Sequence, residues 1–444
     1  MAGIGSLLAA GGTDAADMRN QDAALDSRLR AGRESLGPAA TPHYDKPLEL
    51  ARGEGVYLFD AAGSRYLNMY NNVPLVGHGH PEVVSAIAAQ SATLNIPSGS
   101  LSGVVKAYAA RLLGHFPASL GQLVLTCSGS ESNDLALRVA RAVTGRQGVV
   151  VTRAAIHGGS AAVAEISPLL SRGEGLRPYV RTVPAPDAAL AGTAPLGSWF
   201  AARVRAAITA LEAKGAGFAA LILDGAFASD GVFTDPPGFL AEAVAAVRAA
   251  GGLFIADEVQ AGFGRMGGGL WGFTRHGVVP DIVTLGKPMG NGYPMGGMVT
   301  RPDYLARASE RSPCFSSCGA SPVAAAAGMA VLDVIEGEGL VRNAVRCGEI
   351  LKAGLRGLAK RFACLGAVRG AGLIIGVDVV DPQSGAPDTA GARRVVNTLR
   401  QNFVLIGTAG LDGHTLKIRP PLCFTAAHAA HFLEVLRAVL ASLG

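Results

Sequence analysis

From residue 122 onward the chain alternates short, nearly continuous apolar runs with stretches of amphipathic, helix-like spacing. Gln122–Thr126, Val149–Thr152, Leu221–Asp224, Leu253–Asp257 and Ile282–Leu285 have strand length, while 131–143 and 237–250 are spaced as helices. Strands apolar on both faces and separated by helices predict a mostly parallel sheet covered on both sides, the α/β class. After Pro322 the rhythm changes. A long helical region to about Phe362, a strand over 372–379, a helix near 389–401, strands near Val404 and Leu416 and a last helix from Thr425 predict a smaller α+β domain. Ahead of the large sheet, 56–73 alternates as a hairpin with Asp60–Gly63 at its turn, and a helix follows from Pro81 to about Asn95. Residues 13–36 are charged and Ala-rich, which predicts surface helices ended by Gly37-Pro38. The expected division is an N-terminal arm (1–45), the N-terminal part of a small domain (46–75), a large domain (76–330) and the C-terminal part of the small domain (331–444).

The length of 444 residues supports two domains, because a single core stops growing well before that size. Composition excludes more than it selects. With 49% hydrophobic residues but no 18-residue stretch free of polar or charged side chains, no membrane span is expected. The net charge of +5 comes from 39 basic and 34 acidic residues scattered along the chain, which gives nucleic-acid binding no support. Six cysteines at irregular spacing suggest no disulfide framework, and Cys314 and Cys318 read as buried thiols, since nothing nearby completes a metal site. The apolar stretch 4–10 lacks a basic lead and makes a poor signal peptide, so a cytoplasmic protein is expected.

Three strand ends carry candidate chemistry. Between a strand and a helix, Thr126-Cys-Ser-Gly-Ser-Glu-Ser-Asn133 offers free helix-start amides beside Ser128, Gly129 and Ser130, suited to a phosphate; a plain N-cap by Ser128 or Ser130 explains the same residues. At the end of Leu253-Phe-Ile-Ala-Asp257, a buried acid needs a protonated or cationic partner, such as a pyridinium nitrogen, an arginine or a helix terminus. In Thr284-Leu-Gly-Lys-Pro-Met-Gly-Asn-Gly292, Lys287 stands alone at a third strand end, where desolvation would favour a neutral amine able to form an imine. Pro288 after the lysine rules out a Walker loop. His157, in Ile156-His-Gly-Gly159, fits either a ligand contact or a hydrogen-bonded loop position.

Taken in order, Ser128-Gly-Ser-Glu131, His157-Gly158, Asp257-Glu-Val-Gln260, Gly286-Lys-Pro-Met-Gly-Asn-Gly292, Gly319-Ala-Ser-Pro322 and Arg419-Pro-Pro421 resemble the class III, fold-type I aminotransferases from about residue 46 to the C-terminus. That resemblance implies pyridoxal 5'-phosphate as cofactor, an amine or amino acid and a keto acid as substrates, and a homodimer with shared sites. It implies that Lys287 holds the cofactor as a Schiff base and shuttles the proton, Asp257 pairs with the pyridine nitrogen, Val259 packs under the ring and Gln260 reaches the ring hydroxyl. Gly129 and Ser130, with Ser128, would bind the phosphate, joined by Ser317 of a second subunit. Ile156, His157 and Asp224 complete the implied cofactor set, and Tyr70, Asn72, Lys417 and Arg419 the implied substrate set.

Four positions depart from the family pattern. Ile156 replaces a stacking aromatic, Asp224 a Glu, Ser317 a Thr, and Lys417 occupies an Arg position two residues before Arg419. Within the family, Gly286–Gly292 and Tyr70-Asn-Asn-Val73 are most similar to the branch of alanine-glyoxylate aminotransferases and of phospho-lyases acting on phosphorylated amino alcohols. Transamination is the first expectation and phosphate elimination the second. A non-catalytic binding protein of this fold is the reading from another class, against which a lone buried Lys287 argues.

Overall fold

The computed structural model describes residues 44–46, 48–100, 102–170 and 175–443; the helices expected over 13–36 lie outside them. Residues up to Arg52 with Phe59–Ser64 form one unit, and Gly53–Leu58 with Arg65–Gly444 a second. Within the first, Asp60 Oδ1 accepts from the amides of Ala62 (3.0 Å) and Ser64 (2.8 Å), closing the turn expected at Asp60–Gly63. The first strands are β1 (Leu50–Glu54), β2 (Tyr57–Asp60) and β3 (Arg65–Asn68).

The second unit is built on a seven-stranded sheet of β4 (Gln122–Thr126), β5 (Gly148–Thr152), β6 (Val180–Val183), β7 (Phe218–Asp224), β8 (Leu253–Asp257), β9 (Ile282–Leu285) and β10 (Gly296–Thr300), in the order β4-β10-β9-β8-β7-β5-β6. Neighbours from β5 to β9 run parallel, and β10 lies antiparallel to both β9 and β4. The expected α/β sheet is therefore present, with one reversed strand. Neither β10 nor β6 was foreseen: Gly296 and Gly297 dilute the apolar signal of the first, and Arg181 and Thr182 that of the second. The helices Gly103–Leu113, Leu196–Glu212 and Pro302–Arg311 were not foreseen either.

The helix Gly129–Thr144 shows how sequence, packing and site connect. Ser128 Oγ accepts from Glu131 N at 3.2 Å as its N-cap, Gly145 ends it at φ +71°, and Leu135, Ala136, Val139 and Ala140 bury one face in the core over the sheet. Burying a Leu or Val in this way contributes roughly 1.5–3 kcal/mol each. Packing thus fixes where the helix N-terminus points.

Past Pro322 two corrections arise from glycines at positive φ. The expected single helical region is two helices, Pro322–Gly337 and Leu340–Ala359, broken at Gly339 (φ +63°). The strand expected over 372–379 is a hairpin of β11 (Leu365–Ala371) and β12 (Ile374–Val379) turning at Gly372 (φ +53°), where a Cβ would lie 2.4 Å from Arg265 O. With β14 (Gly407–Ala409) and β15 (Thr415–Ile418), these form a further sheet ordered β11-β12-β15-β14, while β13 (Val404–Leu405) pairs parallel with β3. The last helix, Ala426–Leu443, is long and apolar enough by length and composition to cross a membrane, but Phe432, Leu436 and Leu440 are buried within the protein. Cys318 is exposed and Cys314 half-buried, contrary to the expectation of two buried thiols: the segment before Pro322 runs along the surface.

Candidate active site

Strand register sets the floor of the site. Asp224 pairs with Asp257 and Asp257 with Thr284, so one row of residues crosses the carboxyl ends of β7, β8 and β9. Ligands of parallel sheets bind at this edge. A cavity of about 350 Å³ opens there, bordered by Ser128, Gly129, Ser130, Ile156, His157, Asp224, Asp257, Val259, Gln260 and Lys287, along with Val73, Cys127, Gly158 and Gly292–Met295. Ten of the eleven residues expected at a cofactor therefore converge. Val73, Cys127, Tyr293, Pro294 and Met295 carried no chemical signal of their own, although each adjoins a quoted motif.

Asp257 is buried and held by three donors. Val259 N reaches Oδ1 at 3.0 Å; Asn133 Nδ2 (3.0 Å) and His157 Nδ1 (2.7 Å) both reach Oδ2. Asn133 is oriented in turn, because its Oδ1 accepts from Thr284 Oγ1 at 2.6 Å while Nδ2 also donates to His157 O at 2.7 Å. Asn133 and Thr284 were not singled out from sequence, since an amide inside a helix and a threonine inside a strand have no pattern of their own. Asp257 does cap the short helix Glu258–Ala261, as one of its simpler readings proposed, but no arginine among the described residues pairs with it. Asp224 lies in the same row with its oxygens taken by Ala226 N (2.9 Å) and Ala228 N (3.0 Å); burial, and next the charge of Asp257, raise its pKa.

Opposite the acids lies the start of the Gly129–Thr144 helix. Ser128 is its cap, so the simple reading holds, yet Gly129 and Ser130 also face the cavity. Close approach is built in: a Cβ on Gly286 would lie 2.9 Å from Gly129 N and Cα, and one on Gly129 would lie 2.9 Å from Val259 Cγ2. Ser130 Oγ accepts from Gly159 N at 3.2 Å, so the His157 loop is bound to this helix start. Backbone amides and a positive helix end make an anion seat.

Lys287 follows β9 at φ +28°, a strained backbone for a residue with a Cβ. Its side chain is exposed and opens on the cavity. The protein packed around the cavity still desolvates the amine and lowers its pKa; Asp257 opposes the shift and Arg419 adds to it. Among the described residues no hydrogen bond or ion pair ties down its Nζ. An amine with a lowered pKa and a free Nζ is suited to attack a carbonyl and to carry a proton.

Tyr70, Asn72, Lys417 and Arg419 do not border this cavity. The guanidinium of Arg419 lies 4.5 Å over the Tyr70 ring, and both Lys417 Nζ (3.2 Å) and Arg419 Nη1 donate to Gln260 Oε1. The implied substrate cations thus stand one layer behind Gln260, and Asn72 is buried. Ser317 is exposed and borders a neighbouring cavity of about 490 Å³, which shares Cys127, Tyr293 and Pro294 with the first.

The profile of the class-III aminotransferases matches residues 39–440. The chain belongs to the class-III aminotransferase family. Its curated relatives include alanine–glyoxylate aminotransferase 2-like of Drosophila melanogaster, 38% identical over 94% of this chain and 87% of that protein. Ethanolamine-phosphate phospho-lyase homolog 1 of Caenorhabditis elegans is 33% identical over 96% of this chain and 94% of its own length. Among solved structures, a phospholyase from Arthrobacter in complex with phosphoethanolamine superposes with a TM-score of 0.90 at 41% identity, covering 94% of this chain and all of that one. The fold is that of the pyridoxal-phosphate-dependent members of this family, as expected from sequence. The residues present fit that cofactor: a free amine in Lys287, a triply held carboxylate in Asp257, and an anion seat at Gly129 and Ser130.

Proposed function

We propose that this class-III aminotransferase moves an amino group from an amine or amino acid to a keto acid or aldehyde, with pyridoxal phosphate held by Lys287. The observation that carries the reading is Lys287 Nζ, without a partner among the described residues, in a cavity also lined by Asp257, which Asn133 and His157 hold. The cofactor supplies an electron-poor ring that takes up the charge left when a carbon bearing the amino group loses its proton. The chain supplies everything around it. Lys287 would accept and return that proton, Asp257 would hold the pyridine nitrogen, Gly129 and Ser130 with Ser128 would hold the phosphate, and Val259 would give the ring an apolar contact. Ile156 borders the cavity by apolar contact alone.

A homodimer completes the proposal. Ser317 and Phe315 are exposed on the segment before Pro322, which suits Ser317 to the phosphate of a second copy's site. The division into a large domain over 76–330 and a small domain from 46–75 and 331–444 is proposed on the seven-stranded sheet within the first span, and on the sheet β11-β12-β15-β14 and the pairing of β13 with β3 within the second. A cytoplasmic location is proposed from six free cysteines, although the human and Arabidopsis relatives are described as mitochondrial.

Phosphate elimination from a phosphorylated amino alcohol is the second reading, favoured by the 41% identity to the Arthrobacter phospholyase. One experiment separates them. The loaded protein is incubated with alanine, with other single amines and with phosphoethanolamine, in the absence and presence of a keto acid, and products are quantified. Keto-acid-dependent amino transfer supports the first reading; free phosphate, ammonia and an aldehyde without a keto acid support the second. Neither product from any donor removes both.

A further inference from the structure

Gln260 borders the cavity, yet its side-chain oxygen is turned toward groups that do not. Oε1 accepts from Lys417 Nζ at 3.2 Å and from Arg419 Nη1. A guanidinium cannot accept a hydrogen bond from an amide, so the atom that Arg419 meets has to be the oxygen, and the usual ambiguity of an amide's two ends disappears. Nε2 then carries two donors with no partner among the described residues, and it is not sealed in the interior. Residues two apart on a strand project to one side, which is why Lys417 at the end of β15 and Arg419 just past it converge on a single atom.

Neither cation forms an ion pair among the described residues. Burial, and next the charge of Arg419, hold the Lys417 pKa well below its ordinary value.

We infer that Lys417 is a positioning residue that, jointly with Arg419, locks Gln260 so that the cavity meets an NH2 donor and not a carbonyl acceptor. The inference rests on the pyridoxal phosphate reading given above, and it removes Lys417 from direct contact with substrate. An oxygen of the bound cofactor that faces Gln260 meets donors only, which favours its anionic form.

The test is equilibrium binding of pyridoxal phosphate to the full chain, followed by quenching of tryptophan fluorescence, with thermal unfolding of each cofactor-free variant as the check on folding. Lys417→Met and Gln260→Met are each expected to weaken binding about tenfold, and the double variant no further than the weaker single one, because both act through one amide. Gln260→Glu keeps an oxygen for both cations but loses the donor, and is expected to weaken binding at least as much. Additive losses in the double variant overturn the inference, as does unchanged cofactor affinity in Lys417→Met accompanied by a raised KM for the amino donor. If Lys417→Met does not fold, Lys417→Arg is compared with Gln260→Glu: retention of affinity within about threefold in the first and loss in the second supports the inference, and the reverse overturns it. A wild-type chain that binds no pyridoxal phosphate at all, while Lys287→Ala unfolds at the same temperature, brings down the underlying reading itself.

Discussion

His157 Nδ1 lies 2.7 Å from Asp257 Oδ2, across 100 residues of sequence, and the contact is buried. A carboxylate only accepts, so the proton between them sits on Nδ1. His157 Nε2 is left buried without a partner. The same oxygen receives Asn133 Nδ2, itself oriented by Thr284. Asp257 is therefore aimed by residues from three separate segments of the chain.

Removing the amide should misaim it. Asn133→Leu takes one charge-assisted hydrogen bond from Asp257 and leaves Thr284 Oγ1 without its acceptor, a loss of about 1.5–3 kcal/mol. The expected outcome is a kcat/KM roughly 10- to 100-fold lower at near-wild-type secondary structure by circular dichroism. Unchanged steady-state kinetics would show that His157 and Val259 aim Asp257 without help.

Lys287 combines the reactive amine with a left-handed backbone. Lys287→Ala is expected to reduce turnover by at least about 1,000-fold, since both attachment and proton transfer are lost. The cofactor-free variant should unfold at a temperature no lower than wild type, because the desolvated amine makes no stabilising bond among the described residues. Substantial residual turnover measured by keto-acid production would move the chemistry to another base.

Gly286 is tested by a single methyl group. With a Cβ 2.9 Å from Gly129 backbone atoms, Gly286→Ala has to push the Lys287 loop off the helix start. Overpacking of this kind costs typically about 1–3 kcal/mol. A lower melting temperature together with weakened binding of pyridoxal phosphate is expected; a variant with wild-type affinity would mean that the loop relaxes freely.

Glu258 gives a dependence on pH. It is fully buried, with Gly272 N (2.7 Å) and Phe273 N (2.8 Å) on its oxygens, and burial pushes its pKa up from 4.5 to about 8. Between those two values the folded chain holds the proton more tightly than the unfolded one. Stability from this group is present at low pH and lost as pH rises toward about 8, with a slope of at most about 1.4 kcal/mol per unit. Glu258→Gln cannot titrate and loses one acceptor, so wild type should be the more stable at pH 5 and its advantage should shrink or reverse by pH 9 in urea denaturation. A difference that stays constant across that range would contradict a neutral Glu258.

Much of the fold was legible because the large sheet is buried on both faces. Five of its strands are apolar runs that no other element explains, and Ser128, Asp257 and Lys287 stand where those runs stop. Motif order supplied the family and the convergence of ten cofactor positions. What local sequence could not specify was how glycines bend the chain, as at Gly339 and Gly372, because a glycine permits a left-handed turn without demanding it.

Partners far apart in the chain were equally beyond its reach. By itself the sequence determined the layered α/β fold and the family, and it singled out Lys287, since periodicity and residue chemistry are local properties. Only the tertiary structure decided that Asn133 and Thr284 aim Asp257, and that Lys417 and Arg419 spend their donors on Gln260. Hydrogen bonds act over about 3 Å, and which atoms come that close is set by strand register and packing.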